Sequence, residues 1–216
     1  GTKDHPTIEG PKLYKRDGYY YIFAPAGGVE TGWQTVLRSK NIMGPYEDKI
    51  VMHQGSTKIN GPHQGGWVNT PTGEDWFIHF QEKGIYGRIV HLQPMQWKEH
   101  GWPIIGVDIN NDGIGEPVVH YQKPASNVPS QITEPPTSDD FTSNQLGLQW
   151  QWFANPKDHF YSLQDREGFL RLFTVQNEYN NTTQTLWNTS NLLLQKLVRP
   201  GFEIETYLEL NPDHES

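Results

Sequence analysis

The chain of 216 residues has room for one large domain or two modest ones, and its net charge of -8, with no basic run, argues against nucleic acid as a partner. It has no cysteine, which excludes disulfides and thiolate metal sites, and no apolar run of membrane-spanning length. Eight Trp, ten Tyr and nine Phe supply core bulk although only 34% of residues are hydrophobic, a balance suited to neutral, polyhydroxylated ligands.

Strand patterns dominate. Tyr19–Phe23 follows the turn pair Asp17-Gly18, and Gln34–Arg38 follows Gly27-Gly28. After Met43-Gly44-Pro45 comes a glycine-rich stretch, then Pro71-Thr72-Gly73 and the aromatic run Trp76–Phe80. Arg88–Leu92 alternates, and Val118–Tyr121 follows the turn Asn111-Asp112-Gly113. Lys123–Ser138 carries four prolines and few apolar residues, and reads as a linker. This divides the chain into residues 1–122, a linker over 123–138, and residues 139–216. Beyond the linker, Phe169–Phe173 and Ile204–Leu208 read as strands. Leu186–Val198 reads as a buried strand, with a helix as the other reading.

Two turns followed by aromatic strands echo one another, Lys15–Gly18 before Tyr19–Phe23 and Thr70–Gly73 before Trp76–Phe80. Their spacing of roughly 55 residues is near the upper end of blade repeats. A β-propeller is therefore a candidate for the first segment, with a plain β-sandwich as its competitor.

Several residues could carry chemistry. Glu9, in Glu9-Gly10-Pro11, is a candidate general acid, since a rigid turn can aim a carboxyl into a cleft. A solvated surface glutamate before a strand is the competing reading. His63 stands among Gly61, Gly65 and Gly66, a backbone that can hold an imidazole at a constriction as a metal ligand or hydrogen-bonding group. It could equally be an ordinary loop histidine, and no second histidine follows at a zinc spacing. Arg88 opens an alternating strand with Val90 and Leu92 on its face, where it would pair with a carboxylate or hold sugar hydroxyls, or simply reach solvent. Asp108, Asn110, Asp112 and Gly113 fit the first half of a calcium loop, but Val119 replaces the closing glutamate and Glu116 sits at the ninth position. The stretch reads mainly as an Asx-rich turn. Three Asn-x-Ser/Thr triplets begin at Asn180, Asn181 and Asn188.

Taken in order, IEGPKLYKRDGYYYIFAPAGG, VLRSKNIMGPYE, INGPHQGGWVNTPTGEDWFIHF, YGRIVHLQPMQW, GWPIIG and GEPVVHYQKP resemble glycoside hydrolase family 43, in particular its β-xylosidases and α-L-arabinofuranosidases. DDFTSNQLGLQWQWFANP and REGFLRLF resemble the β-sandwich that follows the propeller in those enzymes. The resemblance implies an all-β chain: part of a five-bladed β-propeller, then a truncated β-sandwich. It implies Glu9 as the general acid, with a pKa raised by its neighbours. It implies His63 at the floor of a central pocket, helping waters hold calcium, and Arg88, Gln64 and Trp67 as substrate contacts. The function implied is removal of xylose or arabinose units from plant polysaccharides or oligosaccharides by an inverting mechanism.

The family's base and its pKa-modulating residue are aspartates on earlier blades, and only Asp4 precedes Glu9 here. The expectation is therefore a fragment, inactive alone, completed by the rest of the enzyme, which a companion polypeptide could carry. The partners expected are a carbohydrate substrate, with neither nucleic acid nor membrane. A bacterial secreted or periplasmic location is expected, with no signal sequence visible. Two other readings remain: a non-catalytic carbohydrate-binding module using Trp150 and Trp152, and a structural β-repeat interaction protein.

Overall fold

A computed structural model describes residues 3–129, 131–175, 186 and 189–210. The chain forms two compact units, Gly1–Ser130 and Gln131–Ser216.

The first unit holds two four-stranded antiparallel sheets. In one, β1 (Lys12–Arg16), β2 (Tyr19–Ala26), β3 (Trp33–Ser39) and β4 (Glu47–Met52) pair in sequence order. In the other, β5 (His63–Asn69), β6 (Asp75–Glu82), β7 (Arg88–Trp97) and β8 (Pro103–Ile105) do the same. This is the blade form expected from the turn–strand echo, which proves to be the first hairpin of each sheet. Asp17 and Gly18 both have positive φ (47° and 79°), the backbone a two-residue hairpin turn between right-twisted strands requires.

The sheets pack face to face. Tyr21, Phe23, Val36, Val51 and Met52 from the first meet Phe77, Met95 and Ile105 from the second in one buried cluster. Phe23 stacks on Phe77 at 6.0 Å. Strand β1 contributes by alternation: Lys12, Tyr14 and Arg16 face inward while Leu13 is exposed. The Tyr14 hydroxyl accepts the Trp67 backbone N–H at 3.0 Å, and the Arg16 guanidinium lies 4.9 Å from the Trp97 ring.

The inner face of β6 and β7 is partly polar. Gln81 Nε2 donates to Lys58 O (2.8 Å) and Asn60 Oδ1 (2.7 Å), and His91 Nε2 donates to Gln81 Oε1 at 3.1 Å. The His91 ring stacks on His79, whose Nε2 accepts from Gln93 Nε2 at 3.3 Å. Gln93 Oε1 in turn accepts the Val118 N–H at 2.7 Å. These partners place the His79 proton on Nδ1, which faces Phe80 O at 3.2 Å. Glu116 is only 3% exposed, and both its oxygens are used: Oε2 accepts from Ser56 N and Oγ, Oε1 from Asn110 Nδ2. Those bonds hold its carboxyl pKa below the usual range and fasten the segment after β4 to the segment after β8. Asp108 accepts the N–H groups of Asp112 and Gly113, so the Asx-rich turn forms as read.

Four strand expectations need correction. Val118–Tyr121 is not a strand, because Pro117 precedes it, Val118 N–H is spent on a side chain, and Tyr121 packs edge-on against Trp76. In the second unit, Phe169–Phe173 shrinks to β11 (Arg171–Leu172), paired with β10 (Tyr161–Ser162). Leu186–Val198 contributes only β12 (Leu193–Leu194), paired with β9 (Gln151–Trp152); residues 187 and 188 lie outside the described residues. Ile204–Leu208 forms no strand; Ile204, Tyr207 and Leu208 are exposed, so no facing sheet supplies the burial a strand needs. Asn180, Asn181 and Asn188 also lie outside the described residues.

In the second unit Trp152 packs against Phe160 (5.8 Å) and Tyr161 (5.3 Å), and Phe160 is buried. Trp150 stacks on Phe141 at 5.7 Å and donates its Nε1–H to Asp139 Oδ2 at 2.7 Å.

Burial lowers the His79 pKa from 6.5 to about 4. Protonating Nε2 would also turn two donors on each other, imidazolium and the Gln93 amide. The unfolded chain takes up this proton near 6.5 and the folded chain only near 4, so stability falls as pH drops through that window, by up to about 3 kcal/mol. The thermal midpoint of the protein should fall between pH 6.5 and pH 4, and His79→Gln, which does not titrate, should flatten that slope.

Candidate active site

Glu9 lies just before β1, and its N–H donates to Pro25 O at 3.1 Å, which ties it to the end of β2. Gly10 follows with φ +52°. A Cβ there would meet the end of the Gln64 side chain, which could swing aside, so the positive φ is what favours glycine at this corner. His63 is the first residue of β5 and is fully buried. Between His63 and Gly66 the β5–β6 register shifts, and within that bulge Gln64 adopts φ +50°. Gly65 leaves room for the Phe77 ring, and a Cβ on Gly32 would stand 2.9 Å from His63 Cε1. Of these glycines, only Gly32 makes room for the imidazole itself.

Glu9 and His63 meet. Glu9 Oε1 lies 3.1 Å from His63 Nε2, with the glutamate side chain 51% exposed and the imidazole 0%. The contact lacks hydrogen-bond alignment, so among the described residues neither His63 ring nitrogen has a hydrogen-bond partner. Burial lowers the His63 pKa; the Glu9 charge pulls it back up and the Arg88 charge adds to the lowering. The net direction keeps the ring neutral, with a lone pair available.

Arg88 opens β7. Its guanidinium lies 4.7 Å from the Phe80 ring centroid, with Nε 3.6 Å from Glu82 Oε2, and Phe80 is 6.1 Å from the His63 ring. The structure therefore gathers Glu9, His63, Gln64 and, across Phe80, Arg88. Trp67 is elsewhere. It sits four residues along β5, between Tyr14 and Trp97 (5.2 Å each), with Nε1 donating to Asp75 Oδ1 at 2.7 Å. Lys12, which the sequence reading passed over, donates to Gly10 O (3.3 Å) and Gln64 O (3.4 Å). The only sequence signal for it was its inward phase on β1, two residues before Tyr14.

A separate cleft of about 480 Å³ lies at the β1–β2 and β7–β8 turns, the other end of β1 from Glu9. Its two guanidinium groups are already committed: Arg16 to Trp97 and Asp17, Arg38 to Trp102, Glu47 and His100 O.

The sequence profile of glycosyl hydrolases family 43 matches residues 1–103, and that of the β-xylosidase C-terminal concanavalin A-like domain matches residues 138–216. The chain belongs to glycoside hydrolase family 43. A protein of Xylanibacter ruminicola is 48% identical over 96% of this chain and 38% of its own length. A β-xylosidase of Formosa agariphila is 38% identical over 88% of this chain and 37% of its own. The non-reducing end α-L-arabinofuranosidase BoGH43B of Bacteroides ovatus is 33% identical over 76% and 32%. Among solved structures, the family 43 protein BlXynB of Bacillus licheniformis superposes with TM-score 0.69 at 32% identity, over 81% of this chain and 35% of that one. The chain thus spans about two-fifths of the length of these curated relatives. The two sheets of this family 43 chain are consecutive blades of a β-propeller, followed by part of a β-sandwich.

In this blade pair Gly10→Ala should cost about 1 kcal/mol in denaturant titrations, from its positive φ, with the flexible Gln64 amide swinging aside. Gly28→Ala, at φ +82° with open space around it, is the control and should cost about as much; a much larger loss at Gly10 would show that the Gln64 amide is pinned.

Proposed function

We propose that this chain carries the proton donor of a glycosidase that removes xylose or arabinose units from plant polysaccharides or oligosaccharides. The observation that carries the reading is the half-exposed Glu9 carboxyl, 3.1 Å from an imidazole buried at the head of the next blade. Glu9 would give its proton to the glycosidic oxygen as the bond to the anomeric carbon breaks. Inversion needs a second carboxylate about 6.5–9.5 Å away to activate water on the opposite sugar face. We assign that base to a part of the enzyme outside this chain, so the chain alone would not turn over substrate.

An apolar face supports a further part of the propeller as partner. Val68, Ile78, Val90 and Leu92 lie on the side of the second sheet turned away from the first, and all four are exposed. Another blade, on the same or a companion polypeptide, fits that face. The residues also fit a calcium ion. His63 offers a neutral ring with unpartnered nitrogens, and no cluster of three His, Asp or Glu exists among the described residues, so waters would supply most ligands. Such an ion would add positive charge at the pocket floor. A polymeric substrate stays outside the cell, which favours a secreted or periplasmic bacterial enzyme. The binding-module reading is weakened because Trp150 and Trp152 are both engaged within their own unit.

The decisive experiment is Glu9→Gln in the full-length enzyme. Turnover of xylobiose, a poor leaving group, should fall about 10²–10⁴-fold, while nitrophenyl xyloside should lose far less, because a nitrophenolate departs without a proton. Equal losses on the two substrates would falsify the assignment. Calcium should raise the thermal midpoint of the wild-type enzyme, a chelator should reverse this, and His63→Ala should abolish the response.

A further inference from the structure

Two left-handed corners meet at the candidate site. Gly10 (φ +52°) carries the Glu9 turn, where glycine adopts this backbone freely, and Gln64 (φ +50°) carries the bulge beside His63. The Gln64 conformation is the strained one and persists only where surrounding contacts hold it. One group touches both corners. The Lys12 ammonium reaches Gly10 O at 3.3 Å and Gln64 O at 3.4 Å, from the strand after Glu9 across to the other sheet. Its stem crosses over Gly66, where an added Cβ would stand 3.4 Å from Lys12 Cδ. Lys12 is also the first of three inward residues of β1, and the other two, Tyr14 and Arg16, each grip the second sheet.

We propose that Lys12 is a positioning residue for the proton donor. It ties the corner bearing Glu9 to the bulge bearing His63, and so fixes where the Glu9 carboxyl stands relative to the leaving oxygen. This rests on the reading of Glu9 as the acid. A lysine that merely stabilises the fold would slow all substrates alike, or none. A lysine that aims the acid matters in proportion to how much the leaving group needs a proton.

The test uses the full-length enzyme with Lys12→Met, which keeps the stem and removes the ammonium, and Lys12→Arg, which restores a cationic donor. In Lys12→Met, kcat on xylobiose should fall about tenfold with KM within about twofold, while kcat on nitrophenyl xyloside falls less than about threefold. Lys12→Arg should recover most of the xylobiose loss. Equal loss on both substrates, or a change in thermal midpoint alone, overturns the proposal. If Lys12→Met does not fold, Lys12→Gln carries the same comparison. Glu9→Gln, run alongside, separates the two ideas: a leaving-group split there without one at Lys12 sinks only this proposal. Should Glu9→Gln show no split, the acid reading itself fails. A crystal structure of the Lys12 variant is the independent readout, and a Glu9–His63 separation still at 3.1 Å would also overturn the tie.

Discussion

The site depends on the first strand of one sheet lying against the first strand of the next. Tyr14 is the pivot: its ring packs on Phe23 and Trp67 at 5.2 Å each, and its hydroxyl takes the Trp67 N–H. That hydrogen bond joins a side chain of β1 to the backbone of β5, so it fixes the two strands in register across the sheet boundary. Desolvation of the Tyr14 hydroxyl is the larger influence on its pKa and raises it, which keeps the group neutral. With the strands so aligned, Glu9 before one and His63 at the head of the other meet at 3.1 Å although they belong to different sheets. The repeat in the sequence thus becomes a coincidence of two chemical groups in space.

The two groups differ in exposure, and the difference suits the roles proposed for them. His63 is buried, with Gly32 and the Phe80 ring beside it, and its charge is disfavoured by burial. Glu9 keeps half its side chain open to solvent, as the proposed proton donor requires. The Glu9 main chain, by contrast, is held by its bond to Pro25 O and by the glycine corner after it. A fixed backbone with an open carboxyl is a sound arrangement for proton delivery.

Much of this was legible in the chain itself. Asp17-Gly18 and Thr70–Gly73 announced the first hairpins because turn chemistry is local. The aromatic strands after them were found, but β1 and β5 were not. The first is masked by its charged residues, Lys12, Lys15 and Arg16, and the second by Gly65 and Gly66, which lower its strand character while Gly65 makes room for Phe77 and Gly66 for the Lys12 stem. The resemblance implied Trp67 as a sugar contact; only the packing of two sheets reveals that its ring is enclosed by Tyr14 and Trp97. Lys12 was invisible for a related reason, since its partners are carbonyls, which carry no sequence signature. In the second unit the expected strands shortened to two-residue ladders, one local (β10 with β11) and one between segments about forty residues apart (β9 with β12), whose pairing no local pattern announces.

The row Gln81, His91, His79 and Gln93 has a further consequence. Each amide there has a designated partner, so the alignment of β6 on β7 admits no sliding: moving one residue would trade amides and imidazoles for Ile78 and Leu92 and leave polar groups stranded in oil. The same ladder ends on the pair Glu82 and Arg88. The alignment that those neutral side chains fix on one face thus also decides, on the other face, that Arg88 stands opposite Glu82 and beside Phe80.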